Sequence, residues 1–208
     1  VPGRLFLVAT PIGNLSDITA RALDTLREVH FIACEDTRHS RVLLDHFGIR
    51  KPQVSLPAFA EGERAAGILQ RIVAGEDCAL ITDAGSPAIS DPGERLVAEA
   101  LGQGIDVLAI PGPAALIAAL SASGLPTSRF HFLGFLPRTQ SDAAAMLEEV
   151  RGLSATLILY ESPKRLGESL ARALAVLGDR RACVARELTK LHEEHVRGTL
   201  AELSARYA

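Results

Sequence analysis

Short, continuous apolar runs alternate with longer stretches in which apolar residues recur every three or four positions, and the alternation holds over most of the chain. The runs Leu5-Phe6-Leu7-Val8-Ala9, Phe31-Ile32-Ala33-Cys34 and Cys78-Ala79-Leu80-Ile81-Thr82 are apolar at successive positions, the pattern of strands covered on both faces in a parallel sheet. Between them, Ile18, Ala22, Leu26 and Val29 predict a helix over 18–29, with Ser16 or Asp17 as its N-cap. Val42, Leu43, Leu44 and Phe47 predict a short helix after Glu35-Asp36-Thr37-Arg38, ended by Gly48 at the C′ position. Residues 53–60 read as a strand interrupted by Pro57. Ile68, Leu69, Ile72 and Val73 place a helix over 62–74 that closes at Gly75. A helix over 92–103, a strand over 106–110 and a helix over 113–123 follow, with Asp91-Pro92 and Pro113 read as helix starts.

The second half repeats the alternation less regularly, with strands expected over 131–135, 156–160 and 182–188 and helices near 140–151, 164–177 and 199–206. Gly124-Leu125-Pro126-Thr127-Ser128 has the composition of a linker. Alternating elements with continuous apolar strands place the chain in the α/β class, with mainly parallel pairing at least in the first half.

Composition narrows the class. With 48% apolar and 23% charged residues over 208 positions, the profile is that of a soluble globular protein. No apolar run approaches the length that spans a bilayer, and the first residues carry no signal-peptide pattern, so the expected location is cytoplasmic, with no membrane partner. Cys34, Cys78 and Cys183 lie far apart in apolar runs, which reads as small buried hydrophobes rather than disulfides or metal ligands. The net charge of −3 is not that of a protein that grips bare nucleic acid over its whole surface. Of its 22 basic residues only three are lysine, so any RNA contact is expected on a local, arginine-based surface.

The candidate chemistry lies in three loops at strand ends, where open α/β sheets bind their ligands. They are Thr10-Pro11-Ile12-Gly13-Asn14, residues 83–93 (Asp83-Ala84-Gly85-Ser86-Pro87-Ala88-Ile89-Ser90-Asp91-Pro92-Gly93), and Ile110-Pro111-Gly112-Pro113-Ala114-Ala115. Glycine and alanine let a ligand approach the backbone, and proline fixes the turn. Each loop alone reads more readily as strand-to-helix punctuation; three in one domain point to a ligand crevice. No phosphate-binding G-x-x-x-x-G-K-[ST] and no dinucleotide-type G-x-G-x-x-G follows a strand, which disfavours a nucleoside triphosphatase or a dinucleotide-dependent dehydrogenase.

These loops, together with Glu35-Asp36-Thr37-Arg38, Gly124-Leu125-Pro126-Thr127, Phe132-Leu133-Gly134-Phe135-Leu136-Pro137-Arg138, Tyr160-Glu161-Ser162-Pro163, Ala185-Arg186-Glu187-Leu188-Thr189-Lys190 and Arg197-Gly198-Thr199-Leu200, run through the chain in order. The series resembles that of the ribosomal RNA cytidine 2′-O-methyltransferases, a family of the tetrapyrrole-methylase fold. The resemblance implies two domains: an N-terminal α/β domain with a mainly parallel sheet over 1–124, and a mixed-sheet α/β domain over 129–208. It also implies S-adenosylmethionine in a cleft between them, a homodimer, and small-subunit ribosomal RNA as substrate. Carried over by motif, Pro11, Gly13, Asp83, Ala84, Gly85, Ala88, Ile89, Ala114, Ala115, Glu161 and Leu188 would contact the cofactor.

Two features depart from the family pattern. Where its members carry His-x-His-Asn-Glu after the third strand, this chain has Pro57-Ala58-Phe59-Ala60-Glu61. The sequence also ends soon after Gly198-Thr199-Leu200, where the family continues into a further strand and a small extension expected to supply RNA contacts.

A ribose hydroxyl attacks only after losing its proton, so the protein must align the reacting atoms and offer a base. Asp36, Glu35 and Glu161, all expected at strand ends, are the candidates; Asp36 has the competing reading of a helix N-cap paired with Arg38. Lys190, Arg38 and Arg186 are candidates for RNA phosphate or for stabilising an alkoxide, and Arg138 and Arg180-Arg181 for further RNA contact. His192-Glu193-Glu194-His195 lacks the spacing and third ligand of a zinc site and reads as a solvated charged stretch, so no metal is expected. The competing functions are C-methylation of a tetrapyrrole, or a cofactor-binding, ribosome-interacting protein without catalysis.

Overall fold

The structure, a computed structural model, describes residues 1–208, the side chains of Ala60 and Glu63 excepted. The chain forms two compact units, Val1–Ala114 and Ala115–Ala208.

The first unit is built on five parallel strands, β1 (Leu5–Val8), β2 (Phe31–Cys34), β3 (Gln53–Ser55), β4 (Cys78–Ile81) and β5 (Val107–Ile110), in the order β3-β2-β4-β1-β5. Helices α1 (Ala20–Glu28) and α2 (Thr37–His46) cover one face, packing Ala22, Leu26 and Leu44 on Val8, Ile32, Ala79 and Ile81. Helices α3 (Glu61–Val73) and α4 (Glu94–Gly102) cover the other, packing Ile68, Leu69, Ile72 and Leu96 on Leu5, Phe31, Ala33 and Leu80. Every residue of β2 and β4 is therefore buried, which is why these runs are apolar at successive positions. The strand order sets the ligand position. The chain leaves β1 and β2 toward one face and β4 toward the other, so the end of β4 lies between two points where the connections diverge.

The second unit contains α5 (Ala115–Ser123), α6 (Gln140–Val150), α7 (Leu166–Leu177) and α8 (Leu200–Arg206), with two small sheets. β6 (Phe130–Phe135) and β7 (Thr156–Tyr160) pair in parallel, and β8 (Arg181–Arg186) and β9 (Glu194–Thr199) form an antiparallel hairpin. Its core gathers Leu136, Leu147, Leu170, Val184, Val196 and Leu203. Both parallel and antiparallel pairing occur in this half, in separate two-stranded sheets.

Several element limits differ from the sequence expectation, each for a local reason. Helix α1 starts at Ala20, capped by Thr19, because Leu15–Asp17 form a separate turn of 3-10 helix with Asn14 as cap. The strand expected over 53–60 stops at Ser55, and Ala58–Ala60 form a second 3-10 turn after Pro57. Helix α4 begins at Glu94, not at Pro92: its N-cap is Gly93, whose φ of 131° belongs to the glycine region. Helix α5 begins at Ala115, not at Pro113. Strand β8 ends at Arg186 because Glu187 takes a left-handed backbone with φ of 51°. Strand β9 was not expected at all; it includes the second half of the charged stretch, and His195 has a side chain only 12% exposed.

Candidate active site

In the first unit the ends of β1, β4 and β5 are drawn together by short-range contacts that need small residues. Thr10 and Gly85 exchange two backbone hydrogen bonds, Thr10 N–H to Gly85 O at 2.8 Å and Gly85 N–H to Thr10 O at 3.0 Å. The buried Thr10 hydroxyl donates to Thr82 O at 3.1 Å, tying the end of β1 to the end of β4. At the end of β5, a methyl group placed on Gly112 would lie 2.9 Å from Ala9 Cβ, so only glycine permits that approach. The Ser86 hydroxyl donates to Pro113 O at 3.4 Å and links the second and third loops.

Two residues of the loop after β4, Ala88 and Ser90, hold left-handed backbone with φ of 65° and 61°. Such strain persists only where the surroundings over-determine the conformation, and it is common at ligand sites. The brace is visible. Glu61, at the start of α3, accepts with Oε1 from Gly93 N–H at 3.1 Å and from Leu96 N–H at 3.0 Å. It replaces the side-chain cap that Gly93 cannot supply, and so fixes the end of the loop to the helix that follows.

Among the expected cofactor residues, Pro11 and Gly85 are buried, Asp83, Ala88 and Ala114 are half-buried, and Gly13, Ala84 and Ile89 are exposed. Asp83 Oδ1 is shielded from solvent and has no hydrogen-bond partner among the described residues. A buried acceptor without a donor is costly, and a cationic ligand group would satisfy it.

Beside it, Glu35, Asp36, Arg38, Ser55, Phe59 and Asp83 line a cavity of about 400 Å³. Asp36 caps α2, accepting from Arg38 N–H at 2.8 Å, and pairs with the Arg38 guanidinium at 2.9 Å. Those hydrogen bonds, the side-chain one foremost, lower its pKa to about 2. Glu35 is moved the other way: burial raises its pKa, and the negative charges of Asp83, Asp91 and Asp36 add to the effect. Two adjacent carboxylates are thus moved in opposite directions, Asp36 down by its guanidinium partner and Glu35 up by burial.

In the second unit Glu161 follows β7 and is fully engaged. Its Oε1 accepts from Ser162 N–H at 2.7 Å, its Oε2 accepts from the Ser169 hydroxyl at 2.5 Å, and Arg165 lies 3.4 Å away. Arg165 also donates to the carbonyls of Leu136 and Pro137, so this group ties β7, α7 and the end of β6 together. The half-buried Leu188 lies between Glu187 and Thr189, both left-handed, with φ of 51° and 66°. Lys190 donates to Glu187 at 3.1 Å, and Arg186 to Glu194 at 2.5 Å. Arg138 is exposed, and Ala115 is half-buried. Sequence reasoning missed the jobs of Thr10, Arg165 and Glu61; the signal for Glu61 was its persistence in an otherwise altered loop.

Among the described residues, no helix is long and apolar enough to cross a membrane. Burial raises the thiol pKa of all three cysteines, Cys78 to about 12, so they pack as apolar groups at neutral pH.

Known proteins with the same arrangement are numerous. Residues 4–204 match the family model described as tetrapyrrole (corrin/porphyrin) methylases. A ribosomal RNA small subunit methyltransferase I of Mesorhizobium japonicum is 51% identical over 205 residues, spanning 98% of this chain and 70% of that protein. The protein of that name from Pseudomonas aeruginosa is 52% identical over 202 residues, 97% of this chain and 72% of its own. That of Thermotoga maritima is 46% identical over 200 residues, 96% and 90% of the two chains. Among solved structures, a diphthine synthase aligns with a TM-score of 0.74 at 20% identity, over 98% of this chain and 84% of its own. A uroporphyrin-III C-methyl transferase from Thermus thermophilus, complexed with S-adenyl homocysteine, aligns with a TM-score of 0.67 at 21% identity, over 99% and 92%. The strand-end loops and the nearly end-to-end match agree: the chain belongs to the tetrapyrrole (corrin/porphyrin) methylases, alongside the ribosomal RNA small subunit methyltransferase I proteins.

Proposed function

We propose that this protein transfers a methyl group from S-adenosylmethionine to the ribose 2′-hydroxyl of a cytidine in small-subunit ribosomal RNA. The observation that carries this reading is about 50% identity to ribosomal RNA small subunit methyltransferases across nearly the whole chain. The cofactor, when bound, supplies an already activated methyl group. Asp83 is suited to its ammonium group, since Oδ1 is a buried acceptor lacking a donor. Pro11, Gly13, Ala84, Gly85, Ala88, Ile89 and Ala114 keep the surrounding backbone accessible in this reading. Leu188, flanked by two left-handed residues, is proposed to meet the adenosine through its backbone, with Ala115 and Glu161 supporting the cofactor.

The chain's own chemistry then reduces to orientation and one proton. Glu35 is the proposed base, because its raised affinity for a proton makes it the stronger acceptor near neutral pH. Asp36 and Glu161, the first candidates at strand ends, are proposed to position rather than to accept: one is a helix cap and the other a strut. Arg38, Arg138, Arg186 and Lys190 are assigned to RNA phosphates, in a homodimer acting in the cytoplasm where ribosomal subunits are. The reaction rate is expected to fall as pH drops through the raised Glu35 value, and Glu35→Gln to remove that limb along with most activity.

The deciding experiment is transfer of labelled methyl from S-adenosylmethionine to small ribosomal subunits lacking the modification, with the nucleoside product identified by mass spectrometry. The expected product is 2′-O-methylcytidine. A base-methylated nucleoside, or no transfer by protein that binds the cofactor, would refute the proposal.

A further inference from the structure

We infer that the cavity beside the ends of β2 and β4 receives the target nucleobase, with the ring of Phe59 as its stacking face; this rests on the RNA-methylating reading above. The cavity, about 400 Å³, falls in the range of small-ligand sites. Phe59 is 93% exposed. An aromatic ring left in water forgoes roughly 1.5–3 kcal/mol of burial, so its position calls for a partner outside this fold.

The backbone that presents the ring is held on both sides. Pro57 fixes the entry, with φ of −73°, to the 3-10 turn Ala58–Ala60. Glu61, directly after the turn, is bonded to the amides of Gly93 and Leu96. A ring on such a base loses little freedom on stacking, and it has no polar group of its own, so what it recognises is a flat π surface.

The rest of the lining says which flat molecule fits. Glu35 is a carboxylate, an acceptor when ionised, and favours hydrogen-bond donors such as an exocyclic amine or a sugar hydroxyl, while Asp83, given above to the cofactor, adds negative charge to the lining. Among bases, cytosine, adenine and guanine carry such an amine, uracil does not, and a carboxylate is the usual acceptor for the cytosine N4 group. A phosphate is repelled from the acidic interior, but Arg38 has a side chain 90% exposed at its margin, held by Asp36 at 2.9 Å. The guanidinium has more donors than that one pair uses, and can take a phosphate oxygen. Stacking face, acceptors within and cation at the rim together describe a nucleotide drawn out of its strand.

The test compares Phe59→Ala, Phe59→Leu and Phe59→Trp with the unaltered protein on undermethylated small subunits. Each variant is checked for an unchanged melting temperature and an unchanged S-adenosylmethionine Kd. Loss of a base–aromatic stack corresponds to a fall of roughly 5- to 150-fold in kcat/KM. The expected result is such a fall for alanine and leucine and recovery for tryptophan. If the unaltered protein is active and the alanine variant matches it, the pocket is overturned while the RNA reading stands. If leucine restores activity as well as tryptophan does, the ring serves as bulk and the stacking role is refuted. A variant with unchanged kcat/KM but an altered sedimentation coefficient would place Phe59 in a contact between copies and overturn the pocket. No transfer by the unaltered protein removes both readings.

Discussion

The two units solve the problem of covering strands differently. In the first, β2 and β4 are buried at every position between two layers of helices. In the second, β6 has no buried residue, and β7, β8 and β9 each bury one, Ile158, Val184 and Val196. The first unit therefore draws its stability from a core on both sides of its sheet, whereas the second relies on helices packed against two shallow two-stranded sheets, one parallel and one a hairpin. Loops that hold strained backbone at Ala88 and Ser90 need a stiff platform beneath them.

Truncating a core side chain in each unit gives the largest effect and the most direct test. Leu80 is 1% exposed at the centre of the helix-covered face, and Leu80→Ala is expected to destabilise by about 4–5 kcal/mol. Leu170, 9% exposed in the core of the second unit, is expected to lose about 2–3 kcal/mol on the same change, since its site can relax into neighbouring space. Urea unfolding of both variants measures the gap. Equal losses would show that the units are equally well packed.

The next contrast concerns glycine. In Gly112→Ala the new methyl group meets Ala9 Cβ at 2.9 Å and Ala9 O at 3.4 Å, so two strand ends must separate. The expected loss is about 1–3 kcal/mol, with weakened cofactor binding because the same strand ends carry the proposed site. In Gly198→Ala the nearest atom is Glu202 Oε2 at 2.7 Å, the acceptor for Thr199 N–H in the α8 capping box, so that change disturbs a helix start away from the proposed site. Calorimetric titration of S-adenosylmethionine into both variants should show lower affinity for the first alone.

How far the chain could be read without its structure follows the same division. Strands buried on both faces are apolar at consecutive positions, so β1, β2 and β4 were visible as runs. Strand β9, Glu-His-Val-Arg-Gly-Thr, buries only Val196 and carries the charged Glu194 and Arg197 on opposite faces, so it carried no strand signal. Helix starts were misplaced wherever the cap came from far away in sequence: Glu61 caps α4 from 32 residues upstream, and no local pattern announces that. The strand-end loops were legible as motifs. The separation of Glu35 from Asp36 was not, because two neighbouring carboxylates differ only through burial and the guanidinium that reaches one of them.

Caps allow a finer comparison. Glu61→Ala leaves the amides of Gly93 and Leu96 without their acceptor, and Thr199→Ala breaks the capping box with Glu202 at the start of α8. Each is expected to lower stability by about 1 kcal/mol. Their functional consequences should diverge. Glu61 holds the end of the loop that begins at Asp83, so its loss should reduce cofactor affinity several-fold, while Thr199→Ala leaves it unchanged. Should the two variants bind the cofactor equally, the brace on the loop is structural only.

The smallest expected effect bears on the strained residues themselves, present in both units. Ser90 in the first and Thr189 in the second occupy left-handed backbone, with φ of 61° and 66°. For a β-branched residue such as Thr189 this conformation is a genuine outlier. Replacing either by glycine relieves the steric strain but increases the freedom of the unfolded chain, and the two terms nearly cancel. The net change in stability is expected to be a gain of about 0–1 kcal/mol in each case. Function separates the outcomes. If the rigid platform fixes the loop after β4, Ser90→Gly should barely alter cofactor affinity, because Glu61 and the Thr10–Gly85 pair still define the path. The loop around Thr189 connects the two strands of the hairpin and is held by Thr189 N–H to Glu193 at 2.6 Å, Lys190 to Glu187 at 3.1 Å, and the backbone bonds Lys190 N–H to Glu187 O and Glu193 N–H to Lys190 O at 3.0 and 3.2 Å. Thr189→Gly should therefore loosen Leu188, seen as faster amide exchange over 187–193 and a two- to threefold rise in cofactor Kd. An equal response in both loops would mean that rigidity is set by the turns themselves, independent of the core beneath them.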